Sequence, residues 1–170
     1  FYTCASAPTA LAWTAGGKLL AGFADGSVKL IGIPSGAAGE EASLNGTPSI
    51  TLASAAIDLL EAPSTYAGAG GGGATTFFVA CEDYGVHVYD MPASGGGKAA
   101  AKESPLSFQA SGKRPCTLTL SLDGGFLGIG GADGSLSVSP MDNLGNAATV
   151  PLHDSLPGGT AAVCLAPDLS

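Results

Sequence analysis

The stretch LLAGFADGSVKL, residues 19–30, decides the fold prediction. Two short apolar runs lie on either side of Asp25 and Gly26, and an Asp-Gly pair between apolar runs is a strong hairpin signal. The second run alternates apolar and polar residues with a period of two, which is typical of a half-buried strand. The stretch therefore predicts a strand, a tight turn and a second strand.

The same order returns twice along the chain. Residues 126–138, FLGIGGADGSLSV, repeat it around Asp133, and residues 75–90, TTFFVACEDYGVHVYD, repeat it around Asp83. Each copy follows a further apolar strand and precedes a single one, so four strands are predicted per unit. The predicted units are about 9–53, 54–110 and 111–152, with the start of another at 153–170. Two Gly- and Ala-rich insertions, 67–74 and 93–104, are predicted to be surface loops.

No stretch carries a sustained helical pattern of apolar residues, whereas Leu118, Leu120 and Leu122 recur at a spacing of two. The sequence therefore predicts an all-β chain that forms one domain over residues 1–170.

The repeated units resemble WD-repeat β-propeller blades. Residues 19–30, residues 121–136 and the pair Tyr89-Asp90 carry the resemblance, and His153 falls where the family places a His before the first strand. Where the family prefers Trp-Asp, the chain has Ile31-Gly32 and Ser139-Pro140, so the blades are divergent. The resemblance implies a propeller fragment of about three four-stranded antiparallel blades plus the start of a fourth. A β-sandwich is the structural alternative.

Propellers close with about four to eight blades. We therefore expect the remaining blades to be supplied by the same chain outside this stretch. The chain starts at Phe1 with neither Met nor a leader-like segment, so we expect a cut or processed end there.

Charge and hydropathy exclude several classes of partner. Six Lys and Arg residues against fourteen Asp and Glu residues give a net charge of −8, so a nucleic-acid partner is not expected. The longest strongly apolar run, residues 77–81, is much too short for a membrane-spanning segment.

Cys4, Cys81, Cys116 and Cys164 form no CxxC pattern, and buried reduced thiols are the preferred interpretation.

The candidate site residues have structural interpretations. Asp25, Asp83 and Asp133 suit carboxylates that accept hydrogen bonds from turn amides. Trp13 is expected in the core by its position in the family pattern, although an isolated aromatic residue could also anchor a partner. Lys113 and Arg114, the only basic doublet, are possible partner contacts or solvated loop residues.

Other patterns carry no predicted chemistry. His87 stands between two valines of an alternating strand and is expected to face away from the side that they bury. Gly68, Gly70 and Gly73 satisfy a dinucleotide-binding pattern, but a β-like stretch follows where that motif needs a helix. The sequence predicts no catalytic residue, no cofactor and no metal site.

The resemblance implies a non-catalytic scaffold that binds other proteins within a multiprotein assembly. The expected location is cytoplasmic, with cytoskeletal, ciliary or ER-surface variants. The alternative is the propeller of an ER-membrane guanine-nucleotide exchange factor that acts on the COPII-coat small GTPase, because residues 126–135 and the pair His153-Asp154 are similar to late blades of that protein.

Overall fold

The computed structural model describes residues 5–33, 47–66, 74–91 and 114–152, together with residues 163 and 165. These residues form eleven strands and no helix. The strands are β1 (Pro8–Trp13), β2 (Lys18–Phe23), β3 (Ser27–Gly32), β4 (Ser49–Thr51), β5 (Ala56–Glu61), β6 (Thr75–Cys81), β7 (Val86–Met91), β8 (Pro115–Leu120), β9 (Phe126–Gly131), β10 (Ser135–Pro140) and β11 (Ala148–Pro151).

The strands form three antiparallel sheets in which each strand pairs with its neighbour along the chain. Sheet 1 contains β1–β4, sheet 2 contains β5–β7, and sheet 3 contains β8–β11. Sheet 2 therefore has three described strands, and the fourth strand predicted at residues 105–109 lies outside the described residues. The same is true of the loop insertions, apart from Ala74, and of His153.

The sheets pack face to face, with sheet 2 in the middle. One apolar cluster, which includes Leu20, Val28, Phe77 and Val79, fills the space between sheets 1 and 2. A second cluster, which includes Phe78 and Ile129, fills the space between sheets 2 and 3. Strand β6 contributes alternate residues to both clusters, which explains why its sequence is continuously apolar rather than alternating.

Small residues allow two of the sheets to approach closely. Gly22 on β2 lies against Ala56 on β5, and a Cβ atom added at Gly22 would stand only 2.8 Å from the Cβ of Ala56. Real Cβ atoms do not come this close, so a larger residue at position 22 would push the sheets apart. Part of the high glycine content therefore serves the packing of strands.

The outer face of sheet 1 corrects the expectation that Trp13 lies in the core. Trp13 is 65 % exposed, and Leu11 is 59 % exposed. Strand β1 turns Ala10 and Ala12 toward sheet 2, so the alternating large residues point to the opposite side. The first strands of sheets 1 and 2, β1 and β5, pack closely together, and alanine fits that contact better than tryptophan.

The spacing of Leu118, Leu120 and Leu122 predicts that all three lie on one strand, but Leu122 does not. Strand β8 ends at Leu120, and Leu122 lies in the following turn, where it is 83 % exposed. None of the described elements is a helix long and apolar enough to cross a membrane.

Candidate functional site

The three predicted aspartates occupy equivalent turns between the second and third strand of each sheet. Asp25 Oδ1 accepts hydrogen bonds from the Ser27 amide at 2.9 Å and from the Ser27 hydroxyl at 2.7 Å. Asp133 Oδ1 accepts the same pair from Ser135, at 3.2 and 2.6 Å. Both carboxylates thus accept hydrogen bonds from the serine two residues further along the chain. In the first turn, the hydrogen bonds from Ser27 also hold the pKa of Asp25 below its usual value.

Each turn is also tied to the segment that leads into its own sheet. The amides of Ala24, Glu82 and Ala132 donate to carbonyl oxygens of residues 7, 55 and 114 at 2.9, 3.1 and 2.8 Å. The three turns, residues 24–26, 82–84 and 132–134, are named here the turn edge. The same hydrogen bond therefore anchors the backbone of each turn to its own sheet.

The second turn departs from the other two at several positions. Gly26 and Gly134 have φ angles of 81°, in the region that favours glycine, while Tyr84 stands at the equivalent position with a φ of 69°. The next residue is Gly85, where the other turns have Ser27 and Ser135. Tyr84 is 50 % exposed at this turn.

In the second turn, the His87 ring contacts the Asp83 carboxylate in place of the serine hydroxyl of the other two turns. Its Nε2 atom lies 3.0 Å from Asp83 Oδ2 and 3.2 Å from Oδ1. Gly85 makes this contact possible, because a Cβ atom there would overlap the His87 ring nitrogen. The prediction that His87 faces away from its neighbouring valines is confirmed by the pairing of His87 with Val79, on the side of sheet 1.

Cys81 completes a group of three potential metal ligands. Its Sγ atom, a carboxylate oxygen of Asp83 and a ring nitrogen of His87 lie within 4.8 Å of one another. The thiol is buried. Burial and the charge of Asp83 raise the pKa of Cys81 to about 12, and a hydrogen bond with Ser54 acts in the opposite direction. The sequence prediction missed this group, because its spacing matches no standard motif.

A nucleophilic role for Cys81 does not fit this geometry. A catalytic Cys-His pair needs a thiolate of lowered pKa and a His nitrogen that is free to take its proton. Here the pKa of the thiol is raised, and the His87 Nε2 atom is engaged by the Asp83 carboxylate. Thiol, imidazole and carboxylate are instead the donor types that Zn²⁺ prefers.

The basic doublet is only half described. Arg114 forms an exposed ion pair with Glu82 of the turn edge, with 3.1 Å between Nη2 and Oε1. This contact joins sheet 3 to sheet 2. Lys113 and His153 lie outside the described residues, so their predicted roles stay predictions.

A cavity of 470 Å³ lies at the opposite ends of the strands from the turn edge, between sheets 2 and 3. Tyr66, Asp123 and Met141 are among its lining residues. Asp123 Oδ1 accepts hydrogen bonds from the Ser121 hydroxyl and the Gly125 amide. These bonds lower the pKa of the Asp123 carboxyl, so it serves the turn rather than proton transfer.

Three sheets of antiparallel strands, each packed face to face on the next, define a β-propeller arrangement. No protein family model and no curated protein sequence matches the chain. Among solved structures, the chain is similar to the β-propeller domain of Myceliophteria thermophila Cps50 (Swd1), with a TM-score of 0.58 and 11 % identity. The match covers 88 % of this chain and 43 % of that one.

A second similar structure is the computationally designed Ika8 protein. Its TM-score is 0.52 at 20 % identity, over 88 % of this chain and 38 % of that one. The chain thus spans less than half the length of either structure. The predicted fold class is confirmed: the chain is an all-β propeller fragment, while its membership of the WD-repeat family stays a prediction.

Proposed function

We propose that this chain is part of a non-catalytic, cytoplasmic β-propeller scaffold that binds other proteins through the turn edge. The observation that carries the proposal is Tyr84. It is an exposed aromatic residue held at a positive φ, at a position where both equivalent turns have glycine. A side chain in this conformation costs about 1 kcal/mol relative to glycine, so the tyrosine carries a stability cost that glycine would not.

Tyrosine is among the residues that most often dominate protein interfaces, because it combines a large apolar ring with a polar hydroxyl group. The surroundings of Tyr84 suit this role. The hydrogen bonds of the turn edge fix the backbone, which lowers the entropy lost on binding. The exposed pair of Glu82 and Arg114 beside it supplies polar groups for the rim of an interface.

The test compares the full chain with its Tyr84→Gly variant in capture of partner proteins from cell extract. We expect at least tenfold less of the partners that the unmodified chain retains, while thermal unfolding shows equal or higher stability. Loss of binding without loss of stability separates an interface role from misfolding. Unchanged capture by Tyr84→Gly would overturn the proposal.

Leu122→Ser provides the matched control. Leu122 is an exposed apolar residue on a turn at the opposite ends of the strands, and its replacement should leave capture unchanged. The exchange-factor alternative stays a prediction.

A further inference from the structure

We propose that Cys81, Asp83 and His87 form a binding site for a divalent transition-metal ion of the Zn²⁺ class. The site goes beyond the scaffold function and is argued from different side chains. It brings together one sulfur, one oxygen and one nitrogen donor at the end of a single hairpin. This donor set is typical of Zn²⁺ and of Co²⁺, its common spectroscopic substitute, rather than of Ca²⁺ or Mg²⁺, which prefer oxygen ligands.

The distances require only small movements. Metal–ligand lengths in zinc sites place the donor atoms of a tetrahedral site about 3.3–3.6 Å apart. The His87 and Asp83 donors are already 3.0 Å apart, and all three donors lie within 4.8 Å. Cys81 and Asp83 are held by the end of β6 and the following turn. Closing the site therefore requires the donor separations, at most 4.8 Å, to shorten to about 3.6 Å or less, and the His87 and Asp83 donors to move slightly apart.

The charges also match. A thiolate and a carboxylate supply two negative charges, which neutralise a divalent cation, and the imidazole binds through Nε2 with its proton on Nδ1. On binding, the thiol proton passes to solvent. Three protein ligands leave a fourth position for water on the side of the exposed turn.

The equivalent turns make a useful internal comparison. Phe23 and Gly131 stand at the position of Cys81, and Lys29 and Ser137 stand at the position of His87. Neither turn therefore has a cysteine or a histidine at these positions. Within the described residues, the group of donors is found in sheet 2 alone, together with the Gly85 that makes room for the imidazole.

The test uses the full chain, treated with a chelator and then titrated with Co²⁺ and with Zn²⁺. We expect one ion per chain by calorimetry and, with Co²⁺, the near-ultraviolet charge-transfer absorption of a cobalt–thiolate bond. Cys81→Ala should abolish this absorption, and His87→Gln should weaken Zn²⁺ binding at least tenfold. His87 is half-buried at the surface, so His87→Gln keeps the test meaningful if Cys81→Ala fails to fold.

Three variants serve as controls. Cys116→Ala removes the other described free thiol, Asp133→Asn changes an equivalent turn, and Tyr84→Gly removes the proposed protein anchor while keeping all three ligands. Each should bind Zn²⁺ as the unmodified chain does, so the metal site and the scaffold proposal can fail separately. Equal Zn²⁺ affinity in His87→Gln, or cobalt–thiolate absorption that disappears in Cys116→Ala, would overturn the metal site.

Discussion

The carboxylate of Asp58 on β5 accepts a hydrogen bond from the backbone amide of Leu118 on β8, with 2.7 Å between Oδ2 and N. Its other oxygen accepts the amide of Leu59 at 2.9 Å. A single side chain therefore joins sheet 2 to sheet 3 across their first strands. It also gives a partner to an amide next to the irregularity of β8 between Pro115 and Thr117.

Replacement of Asp58 should loosen this junction. Asp58→Ala leaves the Leu118 amide without its acceptor, at an expected cost of about 1–3 kcal/mol. Asp58→Asn should cost less, because the amide oxygen can still accept one of the two hydrogen bonds. Urea unfolding followed by circular dichroism measures both variants. Equal stability of Asp58→Ala and the unmodified chain would show that the bond contributes nothing.

The close approach of sheets 1 and 2 predicts different results at two glycines. Gly22→Ala places a methyl group against Ala56 and should destabilise the chain by about 1–3 kcal/mol. Gly32→Ala is the control, because a Cβ atom there meets no atom within 4 Å and reduces the freedom of the unfolded chain. Thermal unfolding should rank Gly32→Ala at or above the unmodified chain and Gly22→Ala below it.

Acid should weaken the turns that contain Asp25 and Asp123. Hydrogen bonds lower the folded-state pKa of both carboxyls below the ordinary 3.8, so their stabilisation is complete above that value. It is lost as the pH falls through the lower folded-state values. Ser27→Ala should move the pKa of Asp25 back toward 3.8, as measured by NMR titration of the carboxyl carbon. An unchanged pKa would contradict the role of the serine.

The two described thiols should react at different rates. Burial and a pKa raised to about 12 leave Cys81 almost entirely protonated at pH 8, whereas Cys116 is partly exposed. Because the thiolate is the reactive form, iodoacetamide should label Cys116 well before Cys81, as measured by mass spectrometry of the separate peptides. Faster labelling of Cys81 would contradict the buried position of its side chain.

Strand positions were accessible from the sequence, because a period of two and an Asp-Gly turn follow directly from backbone geometry. Which side of β1 is buried was not. The alternation of Leu11 and Trp13 places both on one side, but only the contact of β1 with β5 shows that the alanines face inward. Large residues usually mark the buried side of a strand, but here the narrow space between β1 and β5 admits only small residues.

The metal-binding group was visible only as separate residues. In an antiparallel hairpin Cys81 and His87 share a face once the pairing of Val79 with His87 is known. Asp83 joins them because Tyr84 adopts a positive φ and Gly85 leaves room for the ring. Neither condition follows from spacing, since both depend on the exact course of the turn.

Trp13 is the only tryptophan in the sequence, and it is largely exposed on the face of sheet 1 that points away from sheet 2. Its fluorescence is therefore a built-in optical reporter for that face. Any segment or protein that covers the face should shift the emission to shorter wavelength and protect the ring from acrylamide quenching. Contact on that face becomes measurable in solution without a label.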